Sequence, residues 1–122
     1  IVEVKDMSMT KTGERKVEKN VGAQGGAGYI LKEALISEEE RGEGCGLFAK
    51  IILKPGCEIG YHQHNGNTET YYILKGKGTY NDNGNTYMVE AGDVTYCKEG
   101  DWHGLVNDST GDIEMVALIL NK

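Results

Sequence analysis

Two of the three histidines in this 122-residue chain stand two positions apart, in the stretch GYHQHNGNTETYYILKGKG that runs from Gly60 to Gly78. On a β-strand, alternate residues share a face, so His62 and His64 project together while Gln63 points away. Asn65-Gly66-Asn67-Thr68 reads as a turn, and Glu69 opens the next apolar run. If that run folds back beside the first, its carboxylate reaches the point at which the two imidazoles aim. The third histidine, His103, follows a Gly100-Asp101-Trp102 turn at the start of another short strand, which a barrel can bring across from the first pair. Three imidazoles and a carboxylate make a mixed nitrogen and oxygen donor set suited to a first-row divalent ion. Four protein donors on an octahedral ion leave two positions open, the arrangement of a catalytic rather than a closed structural site.

An H-x-H pair alone is a weak signal, but the spacing around this one is specific. Gly56, His62, His64, Glu69 and Gly76 match the pattern G-x5-H-x-H-x4-E-x6-G without insertion. From this chain's own composition, a chance match of those five positions is on the order of 10⁻⁴. In this respect the sequence resembles the cupins, whose first motif has that form. Their second motif, G-x5-P-x-G-x2-H-x3-N, is met by Gly92, Gly100, His103 and Asn107, with Lys98 where the family usually has proline. That replacement removes a constraint on the turn before the histidine. The resemblance spans about residues 45 to 120. It implies an all-β, double-stranded β-helix (jelly-roll) barrel of the small single-domain, oxalate decarboxylase-like type, often dimeric. It also implies a single divalent transition metal ion (manganese, iron, nickel or zinc) held by His62, His64, Glu69 and His103. Cupins similar to this chain include dioxygenases, oxalate decarboxylase-like proteins and sugar isomerases.

The elements that must position these residues are legible as short strands. From Ala27 onward, GYILKEALI, GLFAKIIL, TYYILKG, NTYMVEAG, DVTYC, HGLVN and IEMVALIL are separated by turn signals, with 18 glycines and a single proline in the chain. Many short strands with regular turns indicate a sandwich or barrel. Asn83-Gly84 lies between two alternating segments and predicts a type I′ hairpin. Ser37 to Arg41, SEEER, predicts at most one helical turn with a serine cap. Residues 1–26 differ in character and end in VGAQGGAG, so they are read as an N-terminal arm ahead of a barrel domain of residues 27–122. Ile1, Val2 and Val4 would let that arm pair with a partner subunit in a homodimer.

Three further side chains are candidates for contact with a substrate. Tyr71 follows Glu69 by two and shares its face, offering a phenol as donor, although a core role is the commoner one for a tyrosine so placed. Trp102, beside His103, could close the mouth of a pocket or only cover the barrel end. Lys50 interrupts the apolar run LFAKIIL; it could hold a substrate carboxylate, or lie in solvent with its stem across its neighbours.

A net charge of −6 argues against a nucleic-acid or anionic-membrane partner, because phosphate binding needs a basic surface. No apolar run approaches the roughly eighteen residues of a membrane span. Cys45, Cys57 and Cys97 are odd in number and contain no C-x-x-C pair, which suits a reducing cytoplasm. Two function classes follow. One is a metal-dependent enzyme of dioxygenase, decarboxylase or isomerase type acting on a small oxygen-rich or carboxylate molecule. The other is a metal-dependent binding or sensing module with no chemistry of its own.

Overall fold

A computed structural model describes residues 8–122. The suggested pairing through Ile1, Val2 and Val4 lies outside the described residues. Among the described residues, ten strands form two antiparallel sheets. Six make the larger one, in the order β1 (Val17–Val21), β2 (Tyr29–Ala34), β3 (Cys45–Leu53), β10 (Ile113–Asn121), β5 (Asn67–Lys75) and β8 (Val94–Cys97). The smaller sheet runs β4 (Glu58–Gln63), β9 (Trp102–Val106), β6 (Lys77–Asp82) and β7 (Asn85–Glu90). Residues 17–21, within the stretch read as an arm, are the edge strand of the larger sheet and pair with β2 from Val17 opposite Glu33 to Val21 opposite Tyr29.

The alternation of apolar residues explains the layering. Ala49, Ile51 and Leu53 of β3 turn inward, as do Ile113, Met115 and Ala117 of β10 and Tyr71 and Ile73 of β5. Ile59 of β4, Leu105 of β9, Tyr80 of β6 and Val89 of β7 meet them from the other sheet in one buried cluster. Removing this apolar surface from water is the main force holding the sheets face to face.

Turn chemistry closes the strands as the sequence indicates. Asn83 (φ 52°) and Gly84 (φ 95°) take the two left-handed positions of the β6–β7 hairpin. Ser37 caps a single helical turn, α1 (Glu38–Arg41): its Oγ accepts from the Glu40 amide at 3.1 Å, and the Glu40 carboxylate accepts from the Ser37 amide at 2.8 Å. Gly76 of the first motif has φ 86°, and a side chain there would collide with the Asp112 carbonyl oxygen.

Asn107 of the second motif is a structural tie. Fully buried, it donates from Nδ2 to the Leu53 and Gly111 carbonyls, both at 2.8 Å, and accepts at Oδ1 from the Ser109 amide and hydroxyl. Its own amide donates to the Cys57 carbonyl at 3.0 Å, and its carbonyl accepts from the Gly56 amide at 2.8 Å. The two motifs are thereby joined at the end of the sheets remote from the histidines.

Candidate metal centre

The structure changes how the donors come together. The strand that carries Glu69 does not fold back beside β4. The short 64–66 connection crosses from one sheet to the other, so that β4 pairs with β9 while β5 lies in the opposite sheet between β10 and β8. His103, expected from across the barrel, is instead the lateral neighbour of His62 in register. Glu69 is the candidate donor that arrives from across. Both Glu69 and the histidines still face inward, because the crossover leaves the alternation within each strand unchanged.

His62 is partly buried, His64 and Glu69 are nearly sealed from solvent, and His103 is fully so. One donor atom from each lies within 4.8 Å of the other three. The Nε2 of His64 is 3.1 Å from that of His62, 3.0 Å from that of His103, and 3.0 Å from Glu69 Oε1; His103 Nε2 is 3.1 Å from the same oxygen. Adjacent donors on an octahedral ion with bonds of about 2.1 Å stand about 3.0 Å apart, so this spacing fits a first-row divalent ion.

Proton placement gives an independent test of the fit. His62 Nδ1 lies 2.6 Å from the Gly60 carbonyl and His64 Nδ1 lies 2.7 Å from Asn67 Oδ1. Both partners accept, so each Nδ1 donates, and each ring presents its Nε2 to the centre, as a lone pair once that nitrogen has lost its proton. His103 Nδ1 meets Tyr80 Oη at 2.8 Å. Converging lone pairs beside a carboxylate repel one another unless a proton or a cation lies among them. A divalent ion suits that donor set, and the outer contacts fix the ring orientations it needs.

The electrostatics follow from burial and pairing. Burial alone would raise the Glu69 pKa, but hydrogen bonds from His103 and His64 outweigh it and hold the carboxyl down at about 2. The His64 pKa is raised, chiefly by its bond to Glu69. That of His62 is lowered, chiefly by desolvation. Burial, reinforced by the Glu69 charge, lifts the Tyr71 pKa well above the usual range, so its phenol keeps its proton.

The turn that carries Lys98 in place of the proline is held by backbone contacts. The Gly100 amide donates to the His64 carbonyl at 2.7 Å, the His64 amide donates to the Asp101 carbonyl at 3.0 Å, and Asp101 closes the turn on the Lys98 carbonyl at 3.0 Å. The loop before His103 is therefore laced directly to His64.

A cavity of about 310 Å³ opens onto the centre, lined by His62, His64, Glu69 and Tyr71 together with residues of the larger sheet. Tyr71 is 1% exposed, its ring stacked on that of His103 at 5.0 Å between centroids. Trp102 and Lys50 lie elsewhere. Alternation along β9 turns Trp102 away from His103 to the outer surface, where it stacks on Tyr61 at 5.3 Å. Lys50 has the opposite facing from Ala49 and Ile51, and its Nζ pairs with Glu114 at 3.2 Å. Sequence reasoning did not single out Tyr80, Asn67 or Lys32, another residue of the cavity wall. Of these, only Asn67 carried a local signal, an amide three residues after a candidate ligand in a turn.

A model of the cupin domain matches residues 49–119, more than half of the chain, and takes in all four donors. The chain belongs to the cupin family. An oxalate-binding protein of Thermotoga maritima is 35% identical to this cupin over 112 residues, covering 92% of this chain and 93% of its own. A crystal structure of a predicted oxalate decarboxylase from Thermotoga maritima superposes with a TM-score of 0.87 at 35% identity, covering 92% of this cupin and 97% of that chain. An RmlC-like cupin from Shewanella frigidimarina shares the fold with a TM-score of 0.76 at 16% identity, covering 95% and 92%. Among the described residues, no helix is long and apolar enough to cross a membrane.

Proposed function

We propose that this cupin is a metal-dependent enzyme that binds a small carboxylate at a single divalent ion held by His62, His64, Glu69 and His103, with decarboxylation or dioxygenation as its reaction. The convergence of two buried imidazoles, a partly buried third and a buried carboxylate on one point beside a cavity carries the reading. The likeness to an oxalate-binding protein and to a predicted oxalate decarboxylase, over nearly the whole chain, supports a small carboxylate as ligand.

A divalent ion held there supplies Lewis acidity and a chelation point for adjacent substrate oxygens. The chain's own groups do the rest. Tyr71, which keeps its proton, is a neutral donor facing the cavity beside Glu69. Ile51, Ile59 and Ile119 give the cavity apolar walls that restrict water around the bound carboxylate. Tyr80, Asn67 and the Gly60 carbonyl hold the imidazoles in position.

The two sheets are taken as the halves of a closed jelly-roll, with residues 1–26 as an arm and residues 27–122 as the barrel. A homodimer belongs to the same reading: Tyr72, Leu74, Val94 and Tyr96 form an exposed apolar patch on the outer face of β5 and β8, of the kind that marks subunit contacts. The free cysteines suit a cytoplasmic setting.

One observation favours a second reading, a metal-dependent binding module. Apart from the four donors, the only titratable groups lining the cavity among the described residues are Tyr71 and Lys32. The experiment is metal analysis of protein purified without added metal, then oxygen uptake and carbon dioxide release against small carboxylates. Stoichiometric metal with turnover abolished by His62→Ala supports the enzyme. Ligand-dependent thermal shifts with no turnover support the binding module, and an inability to take up metal on reconstitution rejects both.

A further inference from the structure

The segment ahead of the matched cupin region contributes a wall of the cavity in which three polar residues, Asn20, Gln24 and Lys32, stand among Ala23, Ile30 and Leu47. Asn20 on β1 and Lys32 on β2 share a face with buried Ile30: Asn20 stands opposite Ile30 in register, and Lys32 opposite buried Ile51 of β3. Both line the same cavity as His62, His64 and Glu69. Among the described residues, Lys32 is the only lysine or arginine there. Glu18 faces it across the strand pair, yet no carboxylate among the described residues forms an ion pair with it.

Gln24, at the mouth of this wall, is held in an unusual conformation. It is a non-glycine residue in the left-handed region (φ 52°, ψ 33°), inside the single 3-10 turn Ala23–Gly25. That turn is docked on β4 at close quarters. A side chain on Gly60 would strike the Gln24 carbonyl oxygen, one on Gly26 would strike the Glu58 carbonyl, and the Glu58 amide donates to the Ala27 carbonyl at 2.9 Å. A glycine would occupy position 24 with less strain. The side chain kept there instead is a glutamine that lines the cavity.

We infer that Lys32, with Asn20 and Gln24 beside it, is the specificity-determining anchor for a second anionic group on the ligand, so that the preferred ligand is a small dicarboxylate longer than oxalate. This rests on the proposed metal-centred carboxylate site. One end of the ligand, with adjacent oxygens, meets the metal donors, and the distal carboxylate meets Lys32. A cavity of about 310 Å³ holds roughly ten water volumes, more than a two-carbon dicarboxylate fills. A cation that forms no ion pair among the described residues, in a partly desolvated wall, is suited to a carboxylate.

The test is calorimetric titration of the Mn²⁺-loaded full chain with oxalate, 2-oxopentanoate and 2-oxoglutarate, the last two sharing a five-carbon chain and differing in the distal carboxylate. The expected result is about tenfold or greater preference for 2-oxoglutarate over 2-oxopentanoate, narrowing as salt is raised. Lys32→Met removes that preference without changing Mn²⁺ or 2-oxopentanoate affinity, and Lys32→Arg keeps most of it. Gln24→Gly raises the melting temperature while weakening 2-oxoglutarate several-fold, a pairing that a purely structural glutamine would not give. Equal affinity of the wild type for the two oxo acids, or a Lys32→Met variant that keeps the preference, overturns the inference while leaving the metal-centred site intact. Loaded protein that binds none of the three, oxalate included, overturns both.

Discussion

His62 on β4 stands directly opposite His103 on β9, while Glu69 reaches the same point from the facing sheet. The centre therefore spans the interior and ties the two sheets together through their side chains. An ion bound there must stabilise the whole fold rather than one hairpin. Saturating Mn²⁺ or Zn²⁺ at a hundredfold excess over Kd should add about 2.7 kcal/mol to the unfolding free energy, read by urea denaturation with and without metal.

Loss of a donor should cost metal before it costs fold. His62→Ala removes one of three imidazoles that crowd one another, and Glu69→Gln keeps the shape and an acceptor oxygen for His64 and His103 at some cost in stability, so the metal-free variants should stay folded by circular dichroism. Their metal affinity should fall by about a hundredfold or more in competition titrations with a chromophoric chelator.

The outer contacts should matter less, but measurably. Tyr80→Phe deletes the hydroxyl 2.8 Å from His103 Nδ1, and Asn67→Ala deletes the acceptor 2.7 Å from His64 Nδ1. Each should weaken metal binding by about 10- to 100-fold without changing stoichiometry.

The pH dependence has a definite sign. In the metal-free protein, the Glu69 carboxyl is lowered from 4.5 to about 2, so its contribution to stability is complete above pH 4.5 and fades as pH falls toward 2. The His64 pKa is raised above 6.5, so its contribution is complete below pH 6.5 and is lost as pH rises through the folded-state value. Desolvated His62 acts in the opposite sense, since its lowered pKa costs stability as pH falls below 6.5. Metal must displace the proton of His64. Affinity should therefore fall as pH drops below 7, with proton release visible as a buffer-dependent binding enthalpy in calorimetry.

Asn107 should behave as a stability residue and nothing more. Asn107→Ala removes the side-chain donor to the buried Leu53 carbonyl and one of the two donors to the Gly111 carbonyl, at a cost of about 1–3 kcal/mol in chemical denaturation. Metal stoichiometry in the folded fraction should be unchanged.

Much of this site was legible in the sequence because ligand type and strand alternation are local properties. His62 and His64 share a face on alternation alone, and the spacing to Glu69 and His103 supplied the other two donors. The partnership of strands was not legible. Nothing local to residues 64–66 distinguishes a hairpin from a crossover between sheets, so Glu69 and His103 were expected in each other's places. Trp102 and Lys50 drew notice by residue type, but alternation relative to His103 and Ala49 already directs both outward. Lys32 escaped notice because GYILKEALI reads as an ordinary strand, and its facing matters only once β2 is seen to pair with β3 beside the cavity.

The most direct test of the account is electron paramagnetic resonance of Mn²⁺-loaded protein with isotopically labelled oxalate. The account expects one Mn²⁺ per chain, with hyperfine coupling from three histidine nitrogens and additional coupling from oxalate carbon once the ligand is added. Substoichiometric Mn²⁺, or a signal without histidine coupling that oxalate leaves unchanged, would contradict it.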